Sequence, residues 1–155
     1  MLSSGCSKYD LELDSVSIDQ LFQNLSTNNS SRFKLVNIWS TSCDPCKKEF
    51  PYIVNLEKKY EPDDLQIIFL SVDWDEQSSE AYKFLKEQNV SGIHYRKNEG
   101  DEQNFINRID SSWSGVIPFT CIFNRKNSLV ISWEGIRSKE FFHLKLDSLI
   151  ATYAR

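Results

Sequence analysis

"CDPCKKEFP", residues 43 to 51, sets two cysteines three positions apart with a proline between them, then adds a glutamate and a second proline. It follows closely on "FKLVNIW" (33–39), where Leu35, Val36, Ile38 and Trp39 leave no polar side. That run reads as a strand buried on both faces, with Asn37 the one exception. From Pro45 onward Cys46, Phe50, Ile53, Leu56 and Tyr60 recur on one side of a helix, which is predicted to run to about Tyr60 and to close at "EPDD". The cysteine pair therefore lies at a strand-to-helix junction, where ligands bind in open α/β sheets.

That position governs the sulfur chemistry. Free N–H groups and partial positive charge at a helix start favour a thiolate over a thiol, which makes Cys43 the candidate nucleophile. Cys46 lies on the next turn, can close a small disulfide ring with Cys43, and is expected to be more buried and to act as the resolving thiol. Pro45, at an early helical position, has no N–H to leave unpaired and fixes the turn. Two other readings of the spacing exist. Half a zinc site needs two more ligands, yet Cys6 and Cys121 stand alone and far apart, and His94 and His143 fall in no ligand pattern. A purely structural disulfide has no need of a helix start.

Working outward, the chain alternates element types. Ser17 can cap a helix with Gln20 in the reciprocal position and Ile18, Leu21, Phe22 and Leu25 on its apolar side. "LQIIFLSVD" (65–73) is a second buried strand, and a helix is predicted from Asp75 to about Gln88. "IHYRK" (93–97) reads as a short strand and "DEQNFINRI" (101–109) as a short helix. "FTCIF" (119–123) and "SLVISWE" (128–134) are strands joined by the turn "NRKN", and Ser138 caps a last helix. Trp74 and Trp133 are expected to pack in the interior, and Cys121 to behave as a small hydrophobe. Helices alternating with buried strands and ending in a hairpin imply an α/β fold, a central mixed sheet flanked by helices on both faces.

The 155 residues suit one domain, taken as 16–155 behind an N-terminal tail of 1–15. A net charge of −4 gives no basic footprint for nucleic acid, and the longest apolar runs are too short to span a bilayer. In the tail, "MLSSGCS" is similar to the cleavage site of a bacterial lipoprotein, with Leu2 one position farther from Cys6 than usual. A lipid anchor at Cys6 is one expectation, and a plain tail with a free cysteine is the other.

"VNIWSTSCDPCKKEFPYI" (36–53) resembles the active-site segment of the thioredoxin superfamily, and within it the envelope thiol-disulfide oxidoreductases of the TlpA and ResA type. "WSGVIPFTCIFN" (113–124) is similar to their cis-proline loop and the strand behind it. The resemblance implies a thioredoxin-like fold and a redox pair, Cys43 and Cys46, that reduces disulfides of exported proteins, with cytochrome c maturation as the specific case. It implies substrate contacts at Trp39, Asp44, Pro45, Ile117 and Pro118, with a cis Ile117–Pro118 bond, and it gives Glu49 the task of taking a proton from Cys46. Many thioredoxins place a buried aspartate where Asn37 stands, and Asn37 cannot titrate. By position alone, Glu49 reads equally as solvated helix surface. The resemblance further implies no flavin, nicotinamide or metal cofactor, a membrane thiol-electron donor, a monomer, and a place in the bacterial cell envelope, periplasmic or on the outer side of the cytoplasmic membrane. At Ser42 the chain departs from relatives that carry Trp. A peroxiredoxin shares the broader fold, but "NIWSTSC" lacks the proline its motif needs. A binding module with a merely structural disulfide is the other rival.

Overall fold

Strand 33–39 occupies the middle of the molecule, and everything else is arranged around it. The computed structural model describes residues 13–27 and 29–153. In chain order the elements are β1 (Ser15–Val16), α1 (Ile18–Thr27), β2 (Phe33–Trp39), α2 (Asp44–Lys59), β3 (Leu65–Ser71), a 3-10 turn (Asp75–Gln77), α3 (Ser78–Glu87), β4 (Ile93–Lys97), α4 (Glu102–Ile109), β5 (Phe119–Asn124), β6 (Leu129–Glu134) and α5 (Lys139–Thr152). They form one six-stranded sheet in the order β1-β4-β3-β2-β5-β6. The first four neighbours run parallel, while β5 is antiparallel to both β2 and β6. Trp39 pairs with Ser71, Ile38 with Phe119 and Phe119 with Glu134. That register brings the C-terminal ends of β2, β3 and β6 and the start of β5 to one end of the sheet.

Side chains alternate across β2, so each face has its own core. Phe33, Leu35 and Trp39 pack with Phe50, Ile53 and Leu56 of α2, Ala81 and Leu85 of α3, and Phe142 and Leu146 of α5. Val36 and Ile38 pack with Leu21 and Leu25 of α1 and with Phe105 and Ile109 of α4. Phe50 anchors the first core, stacked on Phe69 at 4.1 Å and edge-on to Trp39 at 5.1 Å. Burying a side chain of this size stabilises by about 1.5–3 kcal/mol. Cys121 of β5, opposite Val36, is wholly buried in the second core and donates weakly to the Val36 carbonyl at 3.8 Å.

Lys34 is a second exception to the apolar run of β2, beside Asn37, and is fully buried. Its ammonium is held by the Leu25 carbonyl in the last turn of α1, by Asn29 Oδ1 at 3.0 Å and by Asn127 Oδ1 at 2.7 Å. Burial depresses its pKa. The Leu25 carbonyl at the C-terminus of α1, where the dipole favours a cation, and the two amide oxygens offset that cost.

Both predicted caps form. Ser17 N–H donates to Gln20 Oε1 at 2.8 Å and Gln20 N–H to Ser17 Oγ at 3.1 Å, while Phe141 N–H donates to Ser138 Oγ at 3.2 Å. Three expectations need correction. The 1–15 tail ends too late, because Leu13 is buried and Ser15 already pairs with Arg96 in β1, a two-residue strand too short to carry a periodic signal. The helix expected from Asp75 starts at Ser78, because Trp74 and Gln77 bond reciprocally, Trp74 N–H to Gln77 Oε1 at 3.1 Å and Gln77 N–H to the Trp74 carbonyl at 2.9 Å, and tighten the chain into a 3-10 turn. Trp133 does pack, between Phe141 and Phe142, but Trp74 is 64% exposed. Cys6 lies outside the described residues. Among the described residues no helix is long and apolar enough to cross a membrane.

Candidate active site

Helix α2 begins immediately after Cys43, which is its N-cap in extended backbone conformation. The Cys43 Sγ accepts the Cys46 N–H at 3.2 Å, and its carbonyl accepts the Lys47 N–H at 3.1 Å. A sulfur that accepts a hydrogen bond from the first helical turn sits where negative charge is best stabilised. Cys43 and Cys46 form a disulfide with Cα atoms 5.3 Å apart. Cys43 is half-buried and Cys46 buried, so an incoming sulfur meets Cys43 first. Asp44 and Pro45 are exposed on the outer side of the same turn.

The turn delivering Cys43 is built on a carboxylate from the neighbouring strand end. Asp73 is buried and accepts from Ser40 Oγ at 2.8 Å, from Thr41 Oγ1 at 2.8 Å, from Thr41 N–H at 3.0 Å and from Ser71 Oγ at 2.7 Å. Ser40 in turn accepts the Ser42 N–H on its hydroxyl at 3.2 Å and the Cys43 N–H on its carbonyl at 3.1 Å. Asp73→Ala is expected to lower unfolding free energy by roughly 2 kcal/mol, since it strands buried donors. It should also speed amide exchange at Thr41, and unchanged exchange there would mean that the turn holds itself.

Glu49 lies one helical turn beyond Cys46, on the same side of α2. Its side chain is 0% exposed, so the helix-surface reading does not hold. Glu49 Oε1 accepts from Asn37 Nδ2 at 3.3 Å and Oε2 from the Arg137 N–H at 2.7 Å, while Asn37 Nδ2 also donates to Thr120 Oγ1 at 3.1 Å. Burial pushes the Glu49 carboxyl up to about 7, against the opposing pull of these two donors and of the Arg137 charge. It is thereby poised to exchange a proton near neutral pH.

The Ile117–Pro118 peptide is cis. Trp113, stacked on Phe119 at 4.4 Å, donates its indole N–H to the Val116 carbonyl at 2.8 Å. Glu134 accepts the Ser114 N–H and hydroxyl at 2.5 and 3.0 Å, and the Pro118 carbonyl accepts the Gly135 N–H at 2.8 Å. Pro118 is buried, Ile117 is half-buried, and among the described residues the Ile117 backbone makes no hydrogen bond.

Trp39 requires correction as a substrate contact. It is 0% exposed, with its ring against Phe50 and Phe84 at 5.1 and 5.2 Å, so it is the floor beneath the cysteines and touches nothing outside. Asp73 and the Arg137 N–H are the site features that sequence reasoning missed. The "VD" ending a buried strand opposite the hydroxyl-rich "STS" was a usable signal for Asp73. A backbone N–H from residue 137 leaves no trace in composition. Among the described residues, no three His, Cys, Asp or Glu side chains cluster so as to hold a metal ion.

The chain is similar to known proteins in sequence and in fold. Thiol-disulfide oxidoreductase ResA of Bacillus subtilis is 26% identical over 108 residues, which is 70% of this chain and 56% of that protein. Thiol:disulfide interchange protein HelX of Rhodobacter capsulatus is 28% identical over 120 residues, 77% of this chain and 62% of that protein. The chain thus spans about 56–62% of the length of these relatives. A thioredoxin-related protein from Neisseria meningitidis serogroup B superposes with a TM-score of 0.64 at 24% identity, covering 76% of this chain and 84% of that one, so the fold is thioredoxin-like. Residues 10–136, most of the chain, match the Redoxin family, and the protein belongs to that family.

Proposed function

We propose that the protein is a thiol-disulfide oxidoreductase that reduces disulfides in polypeptide substrates. The observation that carries the reading is the Cys43–Cys46 disulfide at the start of α2, with the outer sulfur capping the helix and the inner one buried. In the reduced protein the Cys43 thiolate attacks one sulfur of a substrate disulfide. That bond breaks, a mixed disulfide forms, and the first substrate thiolate leaves. Cys46 then gives its proton to Glu49 and attacks Cys43 Sγ, which releases the second substrate thiolate and closes the Cys43–Cys46 bond. Two electrons pass to the substrate and two protons follow them. The sulfurs carry the electrons, so the cycle needs no flavin, nicotinamide or metal, only a dithiol donor to reopen the pair. The unengaged Ile117 backbone offers an extended substrate an edge to pair with, beside Asp44, Pro45 and Pro118. The resemblance to the TlpA and ResA type supports exported proteins as substrates, cytochrome c maturation among them. It also supports a membrane thiol donor, a monomeric protein and a place in the cell envelope.

Equilibration in thiol redox buffers, read by mass, tests the reading. A reductase is expected to equilibrate near thioredoxin's value of about −270 mV, whereas a value near about −120 mV would make the protein an oxidant. A pair that never equilibrates would leave only a structural clip.

A further inference from the structure

Exposed apolar side chains gather at the end of the sheet that carries the cysteines. Among the described residues six large hydrophobic side chains are well exposed, and three of them, Trp74, Val116 and Ile136, come from this end. Their exposures are 64%, 52% and 44%. They belong to three separate segments, after β3, before β5 and after β6, which the strand register brings level with the end of β2. Neighbouring strands lie about 4.8 Å apart, so the row from β3 to β6 is roughly 14 Å long, the reach of about four extended residues. Cys43 follows β2 and lies within that row.

Trp74 stands out because its carrier is rigid. Asp73, just before it, is tied to Ser40 and Thr41 of the cysteine turn, and Trp74 itself is bonded to Gln77 through both backbone groups. Its ring stacks on no other aromatic ring among the described residues. Single exposed hydrophobics are ordinary, but several at the sheet end that carries a reactive group mark a contact surface. An occupant must present a sulfur to Cys43 and can pair with the free backbone of Ile117, which calls for an extended polypeptide carrying the cysteine. An exposed indole on a hydrogen-bonded backbone gives such a chain a large apolar contact.

We infer that Trp74 is a specificity-determining residue that selects polypeptide disulfides with an aliphatic or aromatic side chain beside the reacting cysteine. The inference rests on the disulfide-exchange reading above.

The test compares the full chain with its Trp74→Ala variant on three disulfides. These are a short peptide with leucine on both sides of its cysteine, the same peptide with serine in those places, and glutathione disulfide. The variant is expected to lose about tenfold in kcat/KM on the leucine peptide, through KM, a size typical of one apolar contact. It should stay within about twofold of wild type on the other two substrates, with an unchanged reduction potential. Equal losses on all three substrates, or none on the leucine peptide, would overturn the role of Trp74 while leaving disulfide exchange intact. A wild-type protein that reduces none of the three would overturn the exchange reading and this inference together.

Discussion

Cys46→Ala is expected to turn a catalyst into a trap. With the buried thiol gone, the Cys43 thiolate still attacks a substrate disulfide, but nothing inside the protein can displace the product. Resolution then depends on a free thiol from solution. Replacing an intramolecular attack from a thiol already beside its target by a bimolecular one forfeits a large effective concentration, so turnover should fall by on the order of a hundredfold or more. Non-reducing gels should show mixed disulfides through Cys43, and mass spectrometry of their peptides should find the substrate on Cys43. The assignment fails if Cys43→Ala traps substrate instead, or if neither variant does. The geometry argues against that exchange of roles, because Cys46 is 2% exposed while Cys43 is the half-buried cap of the helix.

Glu49→Gln should have the second largest effect, and its sign depends on pH. The carboxyl is raised in the folded protein from its ordinary 4.5 to about 7, chiefly by burial. Between those values the native state holds a proton that the unfolded chain has already released, so raising the pH across this window favours unfolding. Below about 4.5 both states are protonated, and above about 7 both are ionised, so the loss is complete. The amide of the variant carries no such charge at any pH. Measured as the difference between the two proteins, wild type should lose roughly 3 kcal/mol from pH 4 to pH 8, the amount that follows from a shift of this size. Urea titrations at several pH values read it directly, and parallel stability curves would mean that Glu49 keeps an ordinary pKa. The same substitution removes the proton acceptor for Cys46. Resolution of the mixed disulfide should slow by about ten- to a hundredfold, at the modest end for a lost general base, and the rise in rate through pH 7 should flatten.

These two residues also mark how far the sequence could be read. The cysteine spacing, the proline between and the buried strand before them were enough to place the pair on a helix start, because caps and period-3.6 patterns are local. The same locality made Ser17 and Ser138 legible as helix starts. Glu49 was ambiguous for the opposite reason. Its burial and its partners come from the preceding strand, which carries Asn37, and from a loop far away in sequence, which carries Arg137, and a helical wheel contains neither. Asp73 left a signal in "VD" and "STS", but its partners were fixed only when the register set the end of β3 beside the turn before Cys43. Trp39 shows the reverse error. The family resemblance implied a substrate contact there, whereas alternation along a strand buried on both faces sends its ring inward. Trp74 escaped because an exposed tryptophan runs against the usual tendency of that residue.

Cys121 gives the molecule a built-in gauge of its own breathing. The thiol is wholly enclosed in the core between the sheet and helices α1 and α4, and burial pushes its pKa up, so alkylating reagents find no reactive sulfur there while that core stays closed. Modification at this position therefore counts openings of the core on that face of the sheet. When closing outruns labelling, the ratio of its rate to that of an unstructured thiol reports the free energy of that opening. The stability of the scaffold beneath the cysteine pair can thus be followed under native conditions, without denaturant and without disturbing the disulfide above it.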